Sequence, residues 1–197
     1  VRAALRYHGV MLARGLHWTE DDYVRLEESS STRHEFLDGE IYAMAGARAS
    51  HNKVAANAIV ALGQLVRSGR RCQVFNSDQR IHVMSTGLYT YADGGVACGP
   101  WEIHAKDGMS LLNPSLLFEV LSPSTRDYDR GGKLAHYKQL PSVGQVLLID
   151  EPTRLVEVHR RAGDAWTLEA VRDGAIALPE LGGVVLLDDL YYLADGA

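Results

Sequence analysis

The run Leu116-Leu117-Phe118-Glu119-Val120-Leu121 constrains this chain more than any other segment. It is a short apolar stretch holding a single acid, with Asn113-Pro114 before it and Ser122-Pro123-Ser124-Thr125 breaking it afterwards. A lone carboxylate in such a run is costly to bury unless it is paired, protonated or coordinated to a metal. The alternative is a half-buried strand, in which every second residue faces water and Glu119 is an ordinary solvated acid.

Asp93 repeats the situation. Residues 89–98 read as one strand with Asp93 at its middle, where Asp is disfavoured, although Gly94-Gly95 behind it equally suits a turn or bulge. Two strand carboxylates separated by a loop are the minimum for holding a divalent cation such as Mg²⁺ through oxygen ligands, with water and phosphate completing the shell. Glu35 offers a third. It lies in Arg33-His34-Glu35-Phe36-Leu37, ahead of an Asp38-Gly39 pair and the extended run Glu40-Ile41-Tyr42-Ala43-Met44, a strong hairpin signal.

The remaining elements follow from local chemistry. Thr19 before Glu20, Asp21 and Asp22 caps a short helix over residues 19–28, closed by Ser29-Ser30-Ser31. Apolar residues at helical spacing, from Val54 through Ala58, Ala61, Leu62, Leu65 and Val66, predict an amphipathic helix over 49–68 that Gly69 stops. Residues 71–83 alternate as a strand. A helix over 129–139 ends before Pro141, strands cover 145–150 and 154–160, and a β-rich tail runs from Trp166 through Ile176 to Leu187. The expectation is one α/β domain with a mixed sheet over 17–197, preceded by an extension over 1–16 in which Met11 is a candidate natural start.

Composition sets limits on partners. With 197 residues, 46% of them hydrophobic and 23% charged, the chain suits one globular domain. A net charge of -5 supplies no global positive field, which excludes a histone-like DNA binder and makes any phosphate contact local, through placed Arg or Lys side chains or a bound cation. Cys72 and Cys98 lack CxxC spacing and read as buried free thiols in a reducing compartment. With no apolar run of about 18 residues and no signal-peptide pattern, no membrane partner and a cytoplasmic location are expected.

Several of these strings together resemble the Uma2 family, formerly a domain of unknown function, within the PD-(D/E)XK restriction-endonuclease-like superfamily. They are Arg33 through Ile41, Ser50-His51, Tyr91-Ala92-Asp93, Asn113 through Thr125, and Tyr128-Asp129-Arg130-Gly131 with Lys133. The resemblance runs from about Leu16 onward. It implies a restriction-endonuclease-like mixed β-sheet flanked by helices, Asp93 and Glu119 as ligands of Mg²⁺ or Mn²⁺, and Glu35 on the metal-facing side. It also implies nucleic acid, DNA foremost, as the partner and substrate, with phosphodiester hydrolysis by a metal-activated water.

Two departures from the superfamily pattern matter. Ala92 replaces the Pro before the Asp. Leu121 stands where the superfamily has Lys two residues after the Glu, and Lys133 on the following helix is the nearest substitute as a catalytic cation, with a solvated helix residue as the equal alternative. Accessory candidates are His51, Asp78, Asp129 and Arg130. For these the plainer readings are a helix-start histidine, a turn acid, a helix N-cap and a surface cation. Against the nuclease stands a catalytically inactive module of the same fold that binds nucleic acid or a protein partner. A homodimer through the apolar tail at 183–187 and 191–193 is compatible with both, although a core strand and short terminal helix explain that tail as well.

Overall fold

The computed structural model describes residues 17–44, 46–67 and 71–194, with the backbone of 10–11. The elements in chain order are β1 (Val10–Met11), α1 (Glu20–Ser29), β2 (His34–Leu37), β3 (Glu40–Ala43), α2 (Ala49–Val66), β4 (Cys72–Asn76), β5 (Arg80–Val83), β6 (Leu88–Tyr91), β7 (Gly94–Cys98), β8 (Leu116–Leu121), α3 (Arg126–Tyr128), a π-helical turn (Asp129–Lys133), α4 (Leu134–Tyr137), β9 (Gln145–Asp150), β10 (Leu155–Ala162), β11 (Ala165–Val171), β12 (Ala175–Leu178), β13 (Gly183–Leu186) and α5 (Leu187–Leu190). Among the described residues the strands form a sheet in the order β1-β3-β2-β6-β5, a second in the order β11-β10-β9-β8-β7-β4, and the hairpin β12-β13.

The local signals act as expected. Thr19 accepts from the Asp22 amide while Asp22 returns a bond to the Thr19 amide, a reciprocal cap on α1. Asp38 and Gly39 both take positive φ, 51° and 82°, the geometry that an Asp-Gly hairpin turn requires.

Within the larger sheet β8 and β9 run parallel, so the chain must cross over between them, and α3, the π-helical turn and α4 make that crossing. α2 and the crossing bury β8 between them, one on each face. Leu116, Phe118 and Val120 pack with Val54, Ala58 and Leu62 of α2. Leu117 and Leu121 pack with Leu134 and Tyr137 on the other side. Glu119 belongs by parity to this second face and is 3% exposed, so the reading of a solvated acid on a half-wet strand fails.

Four further expectations need correction. Residues 71–83 are two strands in different sheets, because the Asn76 side chain accepts from the Asp78 amide and turns the chain over 77–79. Residues 89–98 likewise divide: β6 pairs with β2 and β5, β7 with β4 and β8, and Asp93 sits at the break rather than inside a strand. The crossing helix starts at Arg126, which places Asp129 inside it as a buried residue and not at its N-cap. Cys72 and Cys98 are not free thiols; they are direct register partners on β4 and β7 and form a disulfide, an opposition that a sequence separation of 26 conceals. In the tail, Val185, Leu187 and Leu190 join the core, as a strand followed by a short helix requires. Gly69 and most of the segment 1–16 lie outside the described residues.

Gly94-Gly95 is a packing device. A Cβ on Gly94 would lie 2.6 Å from the Phe118 ring, and one on Gly95 would lie 2.5 Å from the Leu116 carbonyl oxygen and from the Phe75 ring. These two glycines let β7 lie close under β8 directly after Asp93. Gly95→Ala is therefore expected to cost about 1–3 kcal/mol in urea unfolding. Gly131→Ala, with nothing within 4 Å of the added carbon, should leave stability unchanged or slightly raised; equal losses for the two variants would refute this account.

Candidate active site

The break between β6 and β7 and the C-terminal half of β8 open onto a cavity of about 320 Å³. Glu35 reaches it from β2, His51 from the first turn of α2, and Asp129 and Lys133 from the π-helical turn. Six of the eight residues expected to carry or assist function thus meet in one place, with Asp93 and Glu119 at its floor. Asp78 does not; it is a turn acid paired with Arg33. Arg130 does not line the cavity either, and turns to Asp150 and Glu157.

Lys133 is the centre of the arrangement. Its Nζ lies 2.9 Å from Glu119 Oε1 and 3.3 Å from Glu35 Oε1, and it donates to the Tyr91 carbonyl oxygen at 2.9 Å. Glu119 Oε1 also accepts from the Tyr137 hydroxyl at 2.5 Å, and its Oε2 accepts from the Asp93 amide at 3.3 Å. Asp93 in turn accepts from the Val120 amide at 2.7 Å through Oδ2, while its Oδ1 lies 3.1 Å from His51 Nε2. The Thr90 hydroxyl donates to Glu35.

Four acids line the cavity together with Lys133, Arg48 and His51. Burial pushes Glu119 up to about 8, against the pull of Lys133 and with help from the Asp93 and Asp129 charges. Burial likewise raises Asp129, opposed by Lys133 and Thr125. For Lys133 burial disfavours the ammonium, but Glu119, Tyr137, Glu35 and Asp129 outweigh it and hold the group well above its ordinary range. At His51 burial is likewise outweighed, by Asp93 first, so its imidazole is raised above 6.5.

A hard cation fits this donor set. Among the described residues no three acid, histidine or cysteine side chains converge closely enough to hold a metal on their own. Asp93 and Glu119 are two adjacent carboxylates beside open space, and one or two carboxylates completed by water and phosphate is the habit of Mg²⁺ rather than of a protein-caged ion such as structural zinc.

Sequence reasoning missed Tyr137, Thr90 and the Tyr91 carbonyl. Tyr137 alone carried a signal, since it follows Lys133 by four residues and so shares its helix face.

The Uma2 profile, described as "Putative restriction endonuclease", matches residues 20–187. The chain belongs to the Uma2 family. The uncharacterized Synechocystis protein slr1290 is 32% identical over 176 residues, covering 87% of this chain and 90% of that protein. A second uncharacterized Synechocystis protein, sll1609, is 34% identical over 151 residues, covering 76% and 85%. A crystal structure from Anabaena variabilis, described as a putative nuclease belonging to DUF820, superposes with a TM-score of 0.70 at 17% identity over 88% of this chain and 97% of that one. That likeness shows the fold, a mixed sheet flanked by helices. Restriction-endonuclease-like proteins generally use divalent metals. No helix among the described residues is long and apolar enough to cross a membrane.

The position of Glu119 sets a pH dependence of stability. Between about 4.5 and about 8 the folded protein keeps on Glu119 a proton that the unfolded chain has released. Stability therefore falls as pH rises through that window, by up to about 1.4 kcal/mol per unit. Urea midpoints measured from pH 5 to 8 should show a flatter slope in Glu119→Gln than in the parent protein; parallel slopes would remove Glu119 as the cause.

Proposed function

We propose that this Uma2 protein is a metal-dependent nuclease that hydrolyses phosphodiester bonds in nucleic acid, with DNA as the first substrate to test. The observation that carries the reading is Lys133 Nζ at 2.9 Å from Glu119. The superfamily's lysine is missing at Leu121, yet an ammonium from the crossing helix arrives beside the same carboxylate. Asp93 and Glu119 would hold Mg²⁺ or Mn²⁺, which when bound supplies Lewis-acid polarisation of the phosphate and a water of lowered pKa.

The chain's own residues have separable roles. Lys133, kept charged by Glu119 and Glu35, offers a fixed donor to the attacking water or to charge developing on phosphate. Tyr137 fixes the Glu119 carboxylate, and His51 and the Val120 amide fix that of Asp93, so neither acid reorganises as charge moves. Glu35 and Asp129 add negative charge that draws a cation into the cavity.

The test is cleavage of single- and double-stranded DNA and RNA with Mg²⁺ or Mn²⁺. Asp93→Ala and Lys133→Met are expected to reduce turnover at least about a hundredfold while circular dichroism stays that of the parent. If the parent protein cleaves none of these substrates with either ion, the nuclease reading is wrong and the fold serves as a binding module.

A further inference from the structure

Glu27 lies outside the cavity, and its buried carboxylate touches none of the groups assigned a chemical role above. It comes from the last turn of α1, with its side chain 5% exposed. Both oxygens are used. Oε1 lies 2.7 Å from His34 Nδ1, and Oε2 accepts from the Tyr91 hydroxyl at 2.5 Å.

The two residues it joins have a defined relation. β2 and β6 are antiparallel, and Phe36 opposite Tyr89 sets the register. Continuing that register puts Glu35 opposite Thr90 and His34 opposite Tyr91. Phe36 with Tyr89 is the single registered pair between these strands, so at the cavity end side chains tie the two together. Thr90 bonds to Glu35, and Glu27 bridges the next pair along, His34 and Tyr91. Those strands supply two of the three acceptors around Lys133 Nζ: the Glu35 carboxylate from β2 and the Tyr91 carbonyl from β6.

We propose that Glu27 is a positioning residue. By gripping the opposed pair His34 and Tyr91 it fixes the spacing of β2 and β6 at the cavity, and thereby where the Lys133 ammonium sits. A carboxylate at this depth is a poor choice for stability alone, since well-packed apolar residues commonly replace buried charges without loss. Its two directed bonds explain it better. The effect on turnover rests on the nuclease reading, whereas the effect on Lys133 does not.

The experiment is NMR of the lysine side-chain ammonium groups in the full chain, whose four lysines are Lys53, Lys106, Lys133 and Lys138. Glu27→Ala and Tyr91→Phe each break the bridge from one side. Both are expected to move or broaden the Lys133 signal and leave the other three in place, with the double variant adding little to either alone. Glu27→Gln, which still accepts from Tyr91, should stay near the parent. Val24→Ala, a core truncation on the same helix, should lower stability without moving Lys133. Should Glu27→Ala fail to fold, Tyr91→Phe decides. A Lys133 signal unmoved in the bridge variants, or moved as much by Val24→Ala, overturns the proposal. Where cleavage is measurable, Glu27→Ala should lower kcat about tenfold with KM nearly unchanged. An inactive parent protein would instead sink the nuclease reading and leave the NMR result to decide on Glu27.

Discussion

The Lys133–Glu119 pair is the contact on which the rest of the site depends. Both side chains are nearly sealed, 6% and 4% exposed, and an ion at that depth carries a desolvation penalty of several kcal/mol. The penalty is offset by the partners that Glu119 has: Lys133 and Tyr137 on one oxygen, the Asp93 amide on the other. Removing Glu119 leaves the buried Lys133 ammonium without its nearest carboxyl partner, which costs about 3–5 kcal/mol in comparable cases. The pair also locks two elements together, because Glu119 is on β8 and Lys133 is on the segment that crosses from β8 to its parallel neighbour β9.

From that pair the geometry spreads to the junction between the two sheets. Asp93 donates its amide to Glu119 and accepts from the Val120 amide with its carboxylate. This two-way contact pins the chain where it leaves one sheet for the other. The closeness of β7 to β8 that makes it possible depends on Gly94 and Gly95 having no side chain. Glu119 is placed by sheet register and holds its position better than an acid on a loop would, while Asp93 is held between strand ends by its bonds to β8.

What was legible in the sequence was what local chemistry decides. The Asp38-Gly39 turn, the Thr19 cap, the helical spacing of α2 and the lone acid of β8 all lie within a few residues of the groups that determine them. The strand breaks at 77–79 and at Asp93 were not legible, since alternation continues across them and only partner choice divides the chain. The disulfide was hidden for the same reason. Asp129 looked like a cap because the sequence pattern begins the helix at it, while the helix itself starts three residues earlier at Arg126. Lys133 was legible from the resemblance as the substitute catalytic cation, but its contact with Glu119 was not, because that approach depends on the whole crossing. Glu27 left no trace at all, being one acid among several on a polar helix.

The charge of the cavity bears on substrate as well as on chemistry. Glu35, Asp93, Glu119 and Asp129 line the cavity with Lys133, Arg48 and His51 on a chain of net charge -5. A phosphodiester approaching that cavity meets like charge, and the helix-end His51 already leans on Asp93. On the nuclease reading, the divalent cation is then needed twice, first to admit the phosphate and then to activate it. On that reading the site would engage nucleic acid only when loaded, so its affinity for substrate would follow the affinity of two carboxylates for the ion. The fixed position of Lys133 would matter most at this point, because a cation held by Glu119 would share that carboxylate with the ammonium. The Tyr91 carbonyl and Glu35 give Lys133 somewhere to remain when Glu119 is shared.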